Sequence, residues 1–192
     1  MARARPAKKR ASASGSDAVT LLKQDHREVA NLIDQVEDAE GDELQSIAER
    51  ICQLLTVHAQ VEEELLYPAA RKAIDETDLV AEALVEHNSA KELIAKISEL
   101  SADEEEYKAT VTVLGEYVKH HVKEEEGQLF PKLKKSDLDL QQIGERLAAR
   151  KTELMQEMGI DEDQPDLRTQ RRAAAGARAK SRRSGTGSRA SR

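Results

Sequence analysis

One eleven-residue pattern occurs twice in this chain, as His58-AQVEEELLY-Pro68 and as His121-VKEEEGQLF-Pro131. Both copies open on His, carry Glu at the fifth and sixth positions and close on Leu, an aromatic residue and Pro. A further histidine precedes each copy: His26 lies 32 residues before His58, and His87 lies 34 residues before His121. Self-similarity at a fixed spacing marks a duplicated structural unit. Here the unit is a helix pair, so two copies predict a bundle with a pseudo-two-fold axis.

The composition agrees. Aromatic residues make up only 2% of the chain and Trp is absent, so a core must be built from Leu, Ile, Val and Ala. That suits packed helices better than sheets, which favour aromatic and β-branched residues. Apolar residues recur at helical spacing over Asp17 to about Ala39, Asp42 to about Asp75, and Asp78 to about Leu100. Ser101-Ala-Asp-Glu104 reads as a capping box opening a helix to about Lys134. Ser136 to Asp139 reads as a second cap, opening a shorter fifth helix that runs to about Met158 and stops at Gly159. Loops this short set successive helices antiparallel. The expected fold is all-α: an antiparallel up-down-up-down four-helix bundle over residues 16–160 with a shorter fifth helix. Pro68 and Pro131 are expected to end or kink their helices.

The net charge of −7 conceals three regions. Residues 1–15 carry five basic residues and no acid, and residues 168–192 carry nine and no acid. All 37 acids therefore lie between them, with 16 bases, for a net charge of −21. Residues 1–15 and 161–192 have too little apolar content to offset the entropy of ordering and are expected to be disordered basic tails. They offer phosphate contacts to nucleic acid without aromatic side chains for base stacking, so any such binding would be non-specific and salt-dependent. No apolar segment resembles a signal peptide or a membrane span, and the lone Cys52 permits no intrachain disulfide and suits a reducing, cytoplasmic setting.

The i, i+4 spacing of His58 with Glu62, and of His121 with Glu125, puts each pair on one helix face about a turn apart. A ring nitrogen and a carboxylate oxygen so placed can address one metal ion or bridge two, as in carboxylate-bridged metal pairs in bundle cores. Folding the chain about its loops puts His26, His58, Glu62, His87, His121 and Glu125 within about two turns of one level. Imidazole with carboxylate suits iron, zinc or manganese. His120 points about 100° away from His121. Glu63, Glu64, Glu124 and Glu126 read as a solvated face, with Glu63 and Glu126 able to support the ligands from behind. Cys52 reads as core packing.

LLKQDH26, HxxxEExLLYP at 58–68, EH87 and HxxxEExxLFP at 121–131 together resemble the haemerythrin-like HHE cation-binding family over about residues 17–135. The resemblance implies a carboxylate-bridged centre of two Fe ions, with His26, His58, His87 and His121 as terminal ligands and Glu62 and Glu125 as bridges. It further implies a non-haem di-iron protein that binds, senses or reacts with a small ligand such as O₂, NO or peroxide. The alternatives are a peroxide-decomposing or NO-reducing enzyme, and an iron-handling stress protein that touches nucleic acid through its tails. Oxygen-carrying members have a further His four residues after the third-helix His and close on His-x-x-x-x-Asp. Here that first position is Lys91 and the last motif is His-x-x-x-Glu, which weighs against oxygen carriage of the storage kind. Tyr117, four residues before His121 on the same face, is a candidate to fill the gap.

Overall fold

The computed structural model describes residues 16–160; the expected basic tails, 1–15 and 161–192, lie outside the described residues. Every regular element among the described residues is helical. Helix α1 (Ala18–Val36) starts at Asp17, whose carboxylate accepts the Thr20 N–H at 3.1 Å. It buries Val19, Leu22, Val29, Ile33 and Val36, the stripe its periodicity predicts. Helix α2 (Gly41–Val61) opens with Asp42 and Glu43 near its positive end.

The α2 rod continues past Val61. A π-helical turn, Glu62–Leu66, leads directly into α3 (Tyr67–Ala73). After α4 (Thr77–Glu99), the pattern repeats: α5 (Glu105–Glu124), a π-helical turn at Glu125–Leu129, then α6 (Phe130–Leu133). Each wide turn begins at the Glu of a His-x-x-x-Glu pair and ends just before the aromatic-Pro pair. The reason lies in the proline. Within an α-helix, Pro lacks the N–H for the i−4 bond and its ring strikes that carbonyl. The wider turn re-routes the bonding: the Tyr67 N–H reaches the Glu62 carbonyl, and the Phe130 N–H reaches that of Glu125. Of the two expected outcomes, ending or kinking, Pro68 and Pro131 do not end their helices; each follows a local π distortion of its rod.

The capping box is only half made. Glu104 Oε1 accepts the Ser101 N–H at 2.7 Å, but the Ser101 hydroxyl donates to Asp103. Helix α5 consequently starts at Glu105, later than predicted. Helix α7 (Leu140–Glu157) is capped at the end of the expected Ser136–Asp139 segment: Asp139, not Ser136, accepts the Gln142 N–H at 3.0 Å, and Gly159 follows with φ +65°.

Helix α1 packs on α2 and α5, α4 packs on α5 and α2, and α7 lies across α1 and α2. The core is Leu, Ile, Val and Ala, with Tyr67, Tyr107 and Phe130 as its buried aromatics. No helix among the described residues is long and apolar enough to cross a membrane. Gly144 is what lets α7 seat on the start of α1. A Cβ there would lie 2.4 Å from the Ser16 carbonyl oxygen and 2.7 Å from the Ala18 nitrogen, both rigid backbone. Gly144→Ala is expected to destabilise the chain by about 1–3 kcal/mol, measured by urea denaturation, despite the better helix propensity of Ala.

Candidate metal centre

The four long rods each deliver one histidine to the same level of the bundle. His26 comes from α1, His58 from α2, His87 from α4 and His121 from α5, and all four are buried. Glu62 and Glu125, the first residues of the π turns, are 0% and 2% exposed. The six predicted residues therefore converge. Their donor atoms fall into two groups: His26, His58, Glu62 and Glu125 in one, and Glu62, His87 and His121 in the other. In each group the donor atoms lie within 4.8 Å of one another.

Glu62 belongs to both groups. Its Oε2 is 3.2 Å from His58 Nε2 and 3.4 Å from His87 Nε2. Glu125 Oε2 is 3.4 Å from His26 Nε2 and 3.8 Å from His121 Nε2. The ring nitrogens also pair, His26 with His58 and His87 with His121, each at 3.2 Å. Bonds of about 2.1 Å to one ion put neighbouring donors about 3.0–3.6 Å apart at angles of about 90–120°. The donor spacing fits metal ions. So does polar accounting: Glu62 Oε1 and Glu125 Oε2 are buried without a hydrogen-bond partner among the described residues. Buried carboxylate oxygens are rarely left so.

Three of the four imidazoles are held from behind through Nδ1. Glu126 binds that of His26 at 2.9 Å, Glu63 that of His87 at 3.0 Å, and Glu86 that of His121 at 2.8 Å. Asp25 faces His58 Nδ1 at 3.7 Å, an ion-pair distance and too long for a hydrogen bond. A carboxylate on one ring nitrogen fixes the ring and turns the other nitrogen toward a metal. Glu63 and Glu126 thus belong to the site more fully than a solvated face would, whereas Glu64 pairs with Arg150 at the surface.

Cations complete three of these relays. Lys23 binds Glu126 at 2.6 Å, Lys91 binds Glu63 at 2.7 Å, and Lys151 of α7 binds Asp25 at 2.7 Å. Lys91 therefore serves the centre from outside, by anchoring the partner of His87. Tyr117, the candidate for the gap, is 48% exposed, and no hydrogen bond joins it to the six residues. Tyr67 stands inside instead, 1% exposed. Its hydroxyl is 3.1 Å from Glu125 Oε1, 3.2 Å from Glu62 Oε2 and 3.2 Å from His87 Nε2. Burial, then the two carboxylates, push its pKa well above the ordinary value, so it remains a phenol. At the matching position Phe130 stacks on His26, so the duplicated halves differ.

Asp25, Tyr67 and Glu86 were not singled out from sequence. A usable signal exists for two of them, because an acid immediately precedes the first His of each unit, Asp25-His26 and Glu86-His87. An apolar cavity bordered by Val29, Leu55, Ala59, Ala90, Ile94 and Val118 adjoins all four histidines.

Compared with known proteins, the chain matches the profile of the haemerythrin HHE cation-binding domain over residues 17–133. A relative from Nostoc sp. described as a DNA nickase is 30% identical over 142 residues, covering 72% of this chain. This chain spans only 40% of that relative's length. The crystal structure of an HHE cation-binding domain-containing protein from Mycobacterium kansasii shares the fold, with a TM-score of 0.65 and 24% identity. The match covers 74% of this chain and 89% of the other.

Burial disfavours a charged His58, but Glu62 and then Asp25 outweigh it and raise its pKa from 6.5 to about 10. At pH 7 the metal-free ring is thus protonated, and a metal must displace that proton. Metal affinity should rise with pH until about 10, and calorimetry in buffers of different ionisation heat should show proton release at pH 7. Removing Lys151 leaves the buried Asp25 carboxylate with only the His58 ring, at 3.7 Å, to pair with. Lys151→Met is expected to weaken metal retention against a chelator about 10–100-fold, with Lys151→Arg recovering most of it.

Proposed function

The chain belongs to the haemerythrin HHE cation-binding family, and from that premise we propose that it is a non-haem di-iron protein that binds, senses or reacts with a small ligand such as O₂, NO or peroxide. The observation that carries this reading is the position of Glu62, whose Oε2 lies within 3.4 Å of a histidine from each donor group. Only a shared carboxylate between two ions uses that position fully. On this reading the four long rods run up-down-up-down. His26 and His58 hold one iron, His87 and His121 hold the other, and Glu62 and Glu125 bridge them. Iron is favoured over zinc or manganese by the resemblance to haemerythrins. The single cysteine is consistent with a cytoplasmic setting.

When bound, two irons supply the electrons and the open coordination that a small oxidant requires. The chain's own residues do the rest. The largely apolar cavity beside the histidines suits a small uncharged ligand, with Lys91, Asp25 and Glu86 as the charged groups on its border. The Tyr67 hydroxyl stands ready to hydrogen-bond an acceptor at the bridge. The carboxylate relays hold the rings while charge at the centre changes.

A second reading rests on a separate observation. Fourteen basic residues and no acid occupy residues 1–15 and 168–192, and a relative is described as a DNA nickase. Under it, the tails contact nucleic-acid phosphates while the bundle handles iron. A gel shift at low salt that disappears when both tails are removed would support it, and no shift at low salt would sink it.

Metal analysis and an optical spectrum of protein purified in air test the main reading. Two irons per chain with an oxo-bridge charge-transfer band are expected, both lost in His58→Ala. One zinc, or no metal, would defeat it. Steady-state turnover of peroxide or NO, lost in the same variant, would make the protein an enzyme; binding without turnover would leave it a carrier or sensor.

A further inference from the structure

His120 takes no part in the buried set. It directly precedes His121 on α5, so its ring is turned about 100° away, and its side chain is 63% exposed. Its Nε2 lies 3.5 Å from Glu86 Oε1 and 3.6 Å from Glu124 Oε1. These three donors lie within 4.8 Å of one another. One imidazole and two carboxylates suit a divalent first-row cation, and the two His120 distances are those of donors about 2.1 Å from a common ion.

Two further observations distinguish this cluster from an ordinary acidic surface. The first concerns charge. Of the four carboxylates behind the imidazoles, Glu126, Glu63 and Asp25 each hold a lysine. Glu86 is the exception among the described residues: its ion pairs are to His121 and His120 alone. Glu124 pairs only with His120 there. Where the other relays end on a lysine, this one ends on a second carboxylate. The second observation is a small cavity behind the cluster, lined by Leu79, Glu82, Glu86, Glu124, Glu125 and Leu129. Glu125 is 2% exposed, and its Oε2 has no hydrogen-bond partner among the described residues. Carboxylates thus run from the surface to a bridging position of the centre.

We propose that His120, Glu86 and Glu124 form a third, surface site for a divalent cation, and that ions pass from it along the Glu86–Glu125 cavity into the buried centre. The inference rests on the reading of that centre as a metal site. The surface site captures the hydrated ion. Its carboxylates replace water ligands in part, and Glu125 takes the ion over. Glu86 links the two stations, because one oxygen faces His120 while the other holds His121. No electron transfer is involved.

The test uses the full-length chain stripped of metal and mixed anaerobically with ferrous ion, with uptake sampled by quenching into a colorimetric chelator. The double variant His120→Ala, Glu124→Gln is expected to load several-fold more slowly than wild type and to reach the same final iron content. An equilibrium titration should show one extra, weaker ion per wild-type chain that the double variant lacks. Loading at the wild-type rate would overturn the proposal. Equal slowing by Glu105→Gln, an exposed acid at the far end of α5, would also overturn it by showing a general charge effect. A wild-type chain that takes up no iron would defeat the reading of the centre itself, whereas normal wild-type loading with an unaffected variant would defeat only the port.

Discussion

Two carboxylates buried at the middle of a helical bundle set the terms for everything else. Glu62 and Glu125 are almost wholly removed from water, and each would cost several kcal/mol to bury without compensating charge. Their neighbours are arranged around that cost. Four imidazoles approach their oxygens, a phenol hydroxyl reaches both, and one oxygen of each is left without a hydrogen-bond partner among the described residues. Around them lies a core of Leu, Ile and Val in which each fully buried side chain contributes about 1.5–3 kcal/mol. The core offsets the cost of the site, and a cation would remove most of that cost.

The duplication is carried into the site crosswise. The acid preceding the first histidine of each unit supports the second histidine of the same unit: Asp25 for His58 and Glu86 for His121. The second Glu of each motif supports the other unit's first histidine: Glu63 for His87 and Glu126 for His26. Neither helix pair could therefore build its half of the centre alone. The copies have also diverged. Asp25 is one methylene shorter than Glu86, which accounts for 3.7 Å at His58 against 2.8 Å at His121. Helix α7, beyond the segment matched by the family, supplies the Lys151 that holds Asp25 in place.

Much of this was legible in the sequence. Helical periodicity located the five rods, and the spacing of His58 with Glu62 and His121 with Glu125 put both pairs on inward faces. What sequence could not supply was rotation beyond the π turns. In an unbroken α-helix Tyr67 would sit about 140° round from Glu62. The wider turn removes enough of that angle for its hydroxyl to reach the Glu62 carboxylate. Tyr117 precedes the π turn and borders the same cavity as His121, as its i, i+4 spacing predicts, but at 48% exposed it makes no hydrogen bond to the six residues. Lys91 looked like the place of a missing ligand because sequence gives its position on the helix but not which group of a neighbouring helix its ammonium meets. Its ammonium reaches Glu63 and so supports His87 indirectly. The capping box at Ser101 failed for a local reason: Asp103 competes for the hydroxyl.

The proposal central to this account is that Glu62 and Glu125 are buried to hold two metal ions between four histidines. Which small ligand approaches through the apolar cavity is a later question, and it depends on that claim. Anomalous diffraction at the iron edge, from crystals of the full chain loaded with ferrous ion, tests it most directly. The account predicts two buried anomalous peaks, one beside His26 and His58 and the other beside His87 and His121, with Glu62 between them. A single buried peak, or iron confined to the surface, would contradict it.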